Sequence, residues 1–225
     1  MTPIAHIETP FASKFGIPRQ AGLVDCESRV VFEPPYRSDE AVRGLDGFDY
    51  LWLVWQFHLV PHDTTTFKST VRPPRLGGNT RMGVFATRSP FRPNPIGLSC
   101  VRLLRIDHSQ GPVLVVQGAD MVSGTPILDI KPYLPYADAH PDARAGFAAS
   151  PPDVRLQVAD PHTLLSLLPA DTSRQLVQTL QQDPRPHYHA ADGRRYTLSF
   201  YRWEVSFVVD GDTLSIVDIF HRDNR

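Results

Sequence analysis

The sequence contains little cysteine and no long apolar run. Its 225 residues include only Cys26 and Cys100, too few for a disulfide framework or for a zinc site with four thiolates. No apolar run approaches the roughly 20 residues of a membrane span, and the N-terminus lacks the basic region and apolar core of a signal peptide. We therefore predict a cytoplasmic protein with no membrane partner, and we expect both cysteines to be reduced and structural.

Two kinds of ligand-binding motif are also missing. No Gly-x-Gly-x-x-Gly follows a strand-like segment, which argues against a doubly wound nucleotide-binding domain. The nine histidines are scattered, and HYH at 187–189 is isolated from any clustered carboxylate or thiolate ligands. We predict no metal site.

Acidic residues are absent from one long segment. Between Lys68 and Ile106 there is no Asp or Glu, whereas eight cations occur there, seven of them arginine. Since the whole chain has a net charge of −1, the remainder carries −9. A guanidinium binds phosphate and carboxylate oxygens and stacks on bases, so the segment suits an anionic partner such as RNA. A solvated basic face without a partner is the alternative, and charge alone leaves both open.

The chain does contain a series of short apolar segments separated by proline and glycine. RVVFEPPY, GFDYLWLVWQFHLV, IGLSCVRLLRID and PVLVVQGADMV are predicted strands, and no substantial helix is predicted before residue 160. Short strands without intervening amphipathic helices favour an antiparallel barrel or sandwich.

The pattern becomes helical after residue 160. HTLLSLLPADTSRQLVQTLQQD carries leucines at helical spacing, with an interruption near Pro169. Asp171 or Thr172 is the predicted N-terminal cap of the second helical piece, and Pro184 is its predicted end.

A β-hairpin is predicted to follow the helix, with YRWEVSFVV and TLSIVDIF joined by the turn DGD. We therefore expect a β-rich main domain at residues 1–145 and a small α+β C-terminal domain at residues 155–225. ASPPDV, at residues 149–154, is the predicted linker or edge between them.

Four ordered motifs carry a family resemblance. FGIPRQAGLV, VRPPRLGGNTRMGVFATRSPFRPNPIGLS, SGTPILDIKPYLPY and DPRPHY follow one another and together span nearly the whole chain. They resemble the bacterial TsaA-like family, whose characterised function is S-adenosylmethionine-dependent methylation of N6-threonylcarbamoyladenosine beside the anticodon of tRNA. The resemblance implies a small antiparallel β-barrel as the methyltransferase core, an appended C-terminal domain, a tRNA anticodon stem-loop as partner and a homodimer with cofactor sites near the subunit interface.

The resemblance also places cofactor contacts in four separate stretches. The implied cofactor-binding residues are Pro18, Arg19, Gln20, His58, Leu59, Arg88, Leu98, Thr125, Pro126, Ile127 and Leu128. Arg88 is the candidate for the cofactor carboxylate or a nearby phosphate. Two positions depart from the family pattern, His187 where alanine is common and Leu59 where a polar residue can follow the histidine. Because the four stretches are far apart in sequence, the barrel has to bring them together.

Methyl transfer to a urea-like nitrogen also calls for a proton acceptor, since that nitrogen must lose its proton. His58 and Asp129 are the candidates because they neighbour the cofactor-contacting stretches, and a reaction driven by orientation alone is the alternative. The candidate substrate-binding or RNA-binding residues are Arg72, Arg75, Arg92, Asn94, Lys131 and Tyr133.

Each of these residues also has a purely structural interpretation. His58 can be a hydrogen-bonded histidine at a strand end, and Asn94 between two prolines can cap a turn through its side chain. Asp129 and Lys131 can form a local ion pair that braces the barrel rim.

Two other function classes remain open from the sequence. A non-catalytic RNA-binding β-barrel explains the basic segment but does not need the cofactor-associated motifs. An enzyme that acts on a small anionic metabolite, such as a hydrolase or a methyltransferase, explains the arginines without RNA. Salt-sensitive binding to tRNA would count against this second class.

Overall fold

The computed structural model describes residues 1–60, 67–150, 156–185 and 193–224. The strands of its first part are β1 (Ala5–Glu8), β2 (Glu27–Phe32), β3 (Tyr50–Gln56), β4 (Thr70–Val71), β5 (Met82–Gly83), β6 (Ile96–Asp107), β7 (Val113–Gln117) and β8 (Thr125–Pro132). Six of them close into an antiparallel barrel in the order β1-β2-β7-β6-β3-β8, while β4 and β5 pair only with each other. The predicted fold class, mainly β with a small antiparallel barrel, is confirmed.

Alternating burial explains why these segments form a barrel. Along β3, Leu51, Leu53 and Trp55 are at most 6% exposed and belong to the barrel core, whereas Trp52 and Val54 are less buried and lie on the opposite face. This period of two is the pattern of a strand with one face in a core. The four predicted strand segments before residue 145 are confirmed as β2, β3, β6 and β7.

The connections of the barrel carry only single helical turns in the described residues. Two of these are α1 (Asp39–Val42) and α2 (Pro135–Asp138), of four residues each. The expectation that no substantial helix precedes residue 160 therefore holds for this part of the chain.

The C-terminal part is a four-stranded sheet with one helix. Its elements are β9 (Gln157–Ala159), α3 (Ala170–Gln181), β10 (Tyr196–Phe200), β11 (Trp203–Asp210) and β12 (Thr213–His221). The sheet order is β10-β11-β12-β9, with β9 parallel to β12 and the other pairs antiparallel. The predicted hairpin is confirmed, because Asp210 pairs with Thr213 across a two-residue turn.

The predicted interruption near Pro169 is also confirmed. The prediction that Asp171 or Thr172 caps the following helix is wrong. A short 3-10 turn precedes Pro169, and α3 begins at Ala170 with Pro169 as the N-cap residue. Asp171 and Thr172 lie inside the first turn, where Asp171 instead pairs with Arg174. Pro169 has the non-helical backbone of an N-cap residue, with ψ of 145°, and it forms no side-chain cap hydrogen bond.

The helix ends at Gln181, before the proline predicted to stop it. Asp183 adopts a φ of 51°, so the chain has already left the helix when it reaches Pro184. A residue that precedes proline is disfavoured in the α conformation, and the helix therefore ends upstream of the proline itself. Residues 151–154 of the predicted linker, and HYH at 187–189, lie outside the described residues.

Residues 9–26, between β1 and β2, join the two parts, and we call them the joining segment. Phe11, Val24 and Cys26 are at most 2% exposed and belong to the same apolar core as the C-terminal sheet. The rings of Phe11 and Phe200 meet edge to face, 6.0 Å apart. The C-terminal core is thus completed by side chains from near the start of the chain.

Gly16 packs closely against the C-terminal sheet. Its φ is +91°, and a Cβ built on it would lie 2.2 Å from Cδ1 of Leu198. Any other residue would have an unfavourable backbone conformation and a side chain that clashes with Leu198. The glycine in FGIPR therefore allows the joining segment to pack against the C-terminal sheet.

Both cysteines are free thiols, as expected from the sequence. Burial raises the pKa of Cys26 to about 12, and burial also raises the pKa of Cys100. A thiol with a raised pKa is a poor nucleophile, which fits a packing role for Cys26 in the C-terminal core.

Candidate functional site

A cleft of about 840 Å³ opens at the end of the barrel where β3 ends and β6 begins. Its walls are the joining segment, the residues that follow β3, and residues 84–95, which we call the arginine loop. Residues 120–122, which connect β7 to β8, and Thr125 at the start of β8 complete the lining. This volume lies within the range of small-molecule sites in proteins.

The cleft gathers most of the residues that the family resemblance assigns to the cofactor. Those that line it are Pro18, Arg19, Gln20, His58, Leu59, Arg88, Leu98 and Thr125. Four stretches that are distant in sequence therefore meet in one place, as the barrel was expected to arrange.

Pro126, Ile127 and Leu128 do not line the cleft. Ile127 is fully buried in the barrel core, and Pro126 pairs with His6 of β1. Leu128 occupies the irregular position where the pairing of β8 with β3 shifts. Side chains alternate along a strand, so Pro126 and Leu128 lie on the opposite face from Thr125, while Ile127 shares its face but lies in the barrel core.

Hydrogen bonds connect the arginine loop to the joining segment. Arg88 donates from Nη1 to Oε1 of Gln20, and the Gln20 amide nitrogen donates to the carbonyl of Arg19 at 2.6 Å. Arg19 in turn donates to the backbone carbonyl of Asp183, just beyond α3, at 3.4 Å. Burial lowers the pKa of Arg19, and the nearby Asp183 carboxylate partly offsets this effect. Two guanidinium groups are therefore held on one side of the cleft.

The arginine loop is shaped by its own hydroxyl and guanidinium groups. Thr87 donates to the carbonyl of Val84 at 2.8 Å and accepts from the backbone N–H of Ser89 at 3.3 Å. Arg92 donates from Nη1 to the carbonyl of Thr87 at 3.1 Å. Arg92 thus holds the loop closed, while the rings of Phe85 and Phe91 remain 71% and 60% exposed beside it.

His58 lies at the exposed edge of the cleft, directly after β3. Its backbone N–H donates to the carbonyl of Gln56 at 2.8 Å, and within the described residues its imidazole has no hydrogen-bond partner. The Leu59 carbonyl accepts from Nζ of Lys14 at 2.5 Å. Lys14 is thus a cleft cation that the sequence analysis did not identify.

Asp129, Lys131 and Tyr133 do not line the cleft. Asp129 and Lys131 form an ion pair of 3.1 Å along β8, and Asp129 also accepts from the Ile130 backbone N–H. Tyr133 packs its ring against Tyr50 and Trp52. The structure therefore contains the local ion pair that is the structural interpretation of Asp129 and Lys131.

The floor of the cleft contains a buried polar chain that sequence analysis missed. Trp55 donates from Nε1 to Oγ of Ser99 at 2.9 Å, and Ser99 donates to Oδ1 of Asp120 at 2.5 Å. Gly97 makes room for this arrangement, since a Cβ there would lie 2.2 Å from Cε2 of the Trp55 indole. The available signal was a serine between Gly97 and Val101 on the inward-facing side of β6.

Asp120 is the only carboxylate that lines the cleft in the described part of the chain. Burial raises its pKa, whereas the Ser99 hydroxyl, the backbone N–H groups of Ala21 and of Asp120 itself, and the charge of Arg88 act in the opposite direction. Burial thus favours the neutral form of the carboxyl group, whereas its hydrogen-bond donors and Arg88 favour the charged form.

The basic segment does not form one patch of eight cations. Arg105 makes two hydrogen bonds to the Glu27 carboxylate, at 3.1 and 3.3 Å. It lies seven residues beyond Leu98 along β6, roughly 23 Å from the cleft at about 3.3 Å per residue. Arg72 is exposed before the arginine loop, and Arg75 donates to the carbonyl of Ser150. The cations available to a ligand of the cleft are therefore those of the joining segment and the arginine loop.

Among the described residues, no group of three or more His, Cys, Asp or Glu side chains is arranged to hold a metal ion. No helix in the same residues is long and apolar enough to cross a membrane.

Comparison with known proteins agrees with this geometry. The family model of the tRNA-methyltransferase O N-terminal domain matches residues 6–139, and that of the TrmO C-terminal domain matches residues 156–222. The chain belongs to the tRNA-methyltransferase O family. The first match contains the cleft, and the second contains the C-terminal sheet and α3.

Individual members of the tRNA-methyltransferase O family resemble the chain along most of its length. The tRNA (adenine(37)-N6)-methyltransferase of Escherichia coli is 40% identical and aligns over 90% of this chain and 92% of its own. A protein of Pseudomonas aeruginosa named as a putative S-adenosylmethionine-dependent methyltransferase is 42% identical, over 91% and 90% of the two chains. A crystal structure of TrmO from P. aeruginosa superposes with a TM-score of 0.77 at 34% identity, over 98% of each chain.

Proposed function

We propose that this tRNA-methyltransferase O family member transfers a methyl group from S-adenosylmethionine to N6 of threonylcarbamoyladenosine at position 37 of tRNA. The observation that carries the proposal is the cleft, which gathers the four cofactor-associated stretches into one site beside the arginine loop. The names of the E. coli and P. aeruginosa relatives support the position on the tRNA and the methyl donor, respectively.

The lining of the cleft fits S-adenosylmethionine chemically. Arg19 and Arg88 suit its carboxylate, whereas Leu98, which is 56% exposed, offers apolar surface to an adenine ring. When bound, this cofactor supplies a methyl group that is already activated for transfer. The protein then has to hold donor and acceptor in line and to remove the acceptor's proton.

The surface around the cleft fits a single-stranded anticodon loop. Phe85 and Phe91 present exposed aromatic rings on which unpaired bases can stack, and Arg72 and Arg75 offer charge for the phosphates. Arg92 is the nearer candidate for the threonyl carboxylate because it lines the cleft, whereas Lys131 is paired with Asp129 outside it. The cytoplasmic location and the homodimer belong to the same proposal and rest on the sequence and the family resemblance.

The decisive experiment is a methylation assay on matched tRNAs. The purified chain is incubated with S-adenosylmethionine and tRNA that carries threonylcarbamoyladenosine, and the nucleosides are then analysed by mass spectrometry. We expect the mass gain of one methyl group on that nucleoside and none on tRNA with unmodified adenosine at the same position, since the threonyl and carbamoyl groups are then missing.

The controls separate the cofactor from the substrate. Calorimetry without added metal should show binding of S-adenosylmethionine and of its demethylated product, and Arg88→Ala should weaken both. Equal methylation of the two tRNAs would disprove the proposed substrate. Cofactor binding without methylation of either tRNA would favour a small anionic metabolite as the acceptor, and tRNA binding without cofactor binding would favour a non-catalytic RNA-binding barrel.

A further inference from the structure

We propose that the Asp120 carboxylate, oriented by Ser99 and Trp55, accepts the proton that the substrate nitrogen loses during methyl transfer. This inference rests on the proposed function, since it concerns a step of that reaction. It assigns a role to the polar chain on the cleft floor, which the family resemblance did not include.

The indole of Trp55 sets the direction of the first hydrogen bond in this chain. Because an indole N–H can only donate, Ser99 accepts from it, and the hydroxyl proton of Ser99 is directed at Oδ1 of Asp120. In this arrangement Oδ1 is an acceptor, as it is in the ionised form of the carboxylate. An unprotonated carboxylate of fixed orientation is what a proton acceptor needs before the reaction.

The position of Asp120 suits the acceptor role better than the two residues suggested by the sequence. Asp120 lines the cleft, and within the described residues Ser99 is the only side chain that hydrogen-bonds its carboxylate. Asp129 lies outside the cleft and is paired with Lys131. His58 lines the cleft, but no described residue orients its imidazole.

The charge environment of Asp120 fits the same role. Its raised pKa makes the carboxylate a stronger base than an exposed aspartate, because burial disfavours the charged form. The Arg88 charge and the Ser99 hydroxyl limit this rise, so that the carboxylate stays available for a proton.

The transfer balances with this assignment. The N6 nitrogen forms its bond to the methyl carbon and gives its proton to a carboxylate oxygen of Asp120, while the electron pair of the broken carbon–sulfur bond stays with sulfur. Asp120 is then a neutral acid, and it returns the proton to water in the open cleft before the next turnover.

The test measures single-turnover methylation of the threonylcarbamoylated tRNA by the full-length Asp120→Asn variant. Asparagine keeps the shape and can still accept from Ser99, but it cannot take up the proton. We expect the rate at saturating cofactor and tRNA to fall by about 100-fold or more, with affinities for tRNA and for the demethylated cofactor changed by less than about threefold. Asp107→Asn, the same change at the end of β6 outside the cleft, is the control that keeps the parent rate.

Three results would overturn the inference. One is a rate for Asp120→Asn within about threefold of the parent rate. Another is a loss of affinity for the demethylated cofactor as large as the loss of rate, which would make Asp120 a cofactor ligand. The third is a loss of rate in His58→Gln that is absent from Asp120→Asn, which would assign the proton to His58.

A second variant tests the orienting chain and does not depend on the stability of Asp120→Asn. Ser99→Ala removes a donor to the charged carboxylate, so the pKa of Asp120 should rise further. The acid limb of the kcat/KM profile and the carboxyl NMR titration of Asp120 should both move to higher pH. If the pH profile stays in place while the NMR titration moves, Asp120 is not the acceptor.

Failure of the proposed function gives a different pattern. If the parent chain methylates neither tRNA, the proposed function fails and this inference fails with it. An active parent with an equally active Asp120→Asn overturns the inference alone.

Discussion

The two apolar cores of the molecule are built differently. The barrel core draws on the barrel strands and the connections between them, such as Ile7, Leu53 and Val101. The C-terminal core takes Phe11, Val24 and Cys26 from the joining segment, far from its own sheet in sequence. The C-terminal core is therefore incomplete without the joining segment, whereas in the described residues the barrel core contains no residue from beyond β8.

This difference links the C-terminal core to the cleft. Ile17 packs against that core and also lines the cleft, and the next three residues contribute to the cleft wall. Arg19 reaches the carbonyl of Asp183 beyond α3, and the Asp183 carboxylate pairs with the largely buried Arg185 at 2.9 Å. A substitution that disrupts the C-terminal core should therefore also change the position of the cleft wall formed by the joining segment.

The largest expected effect comes from Phe11→Ala. Deleting a fully buried phenylalanine side chain costs about 3–5 kcal/mol, and this one is shared between the joining segment and the sheet. Hydrogen exchange should show lost protection in β10 and β11 with smaller changes in β3 and β6, together with weaker cofactor binding. Equal loss of protection in all four strands would mean that the two cores unfold as one unit, which would remove the distinction between them.

A smaller effect is expected from Gly16→Ala, with Gly22→Ala as its matched control. Both glycines have positive φ, +91° and +80°, but only Gly16 meets a neighbour within 4 Å, namely Leu198. Backbone strain of roughly 1–2 kcal/mol is common to both variants, and overpacking should add about 1–3 kcal/mol at Gly16 alone. Denaturant unfolding measures both losses. Equal destabilisation would show that Leu198 yields without cost, and that the contact with the sheet is loose.

The smallest effect is expected at residues that belong to neither core. Arg72 and Arg75 are exposed, so replacing both by alanine should leave the unfolding free energy nearly unchanged. If each neutralises one phosphate, the double variant should lower the salt slope of tRNA binding by about 1.4–1.8, at about 0.7–0.9 per contact. If the affinity of the parent protein for tRNA does not change with salt concentration, the basic segment at residues 68–106 does not contact the RNA backbone.

The strands and the helix could be predicted because their signal is local. The strongly apolar run YLWLVWQ and the helical spacing of the leucines around Pro169 each extend over a few residues, so they can be recognised without knowledge of the rest of the fold. The joining segment has no such signal, because Phe11 and Val24 find their core only through partners near the other end of the chain.

The cleft residues could be predicted only through the family resemblance. Asp129 was wrongly expected beside the cleft because it is close in sequence to residues assigned to the cofactor. Asp129 lies close to Thr125 in sequence, but four residues along a strand span about 13 Å at about 3.3 Å each. Asp120 was missed because GADM carries no local pattern, and its partner Ser99 reaches it from a different strand. A hydrogen-bonded chain across three segments of a barrel becomes visible only when the register of the strands is known.

The contact of the joining segment with the C-terminal sheet has a consequence for how the protein is made. Phe11 is synthesised 189 residues before its partner Phe200. At about 5–20 residues per second, the apolar side chains of the joining segment therefore wait roughly 10–40 s for their core, and by then every barrel strand has been synthesised. The barrel strands can pair during this interval, whereas the cleft wall formed by the joining segment is completed only when the C-terminal sheet is present.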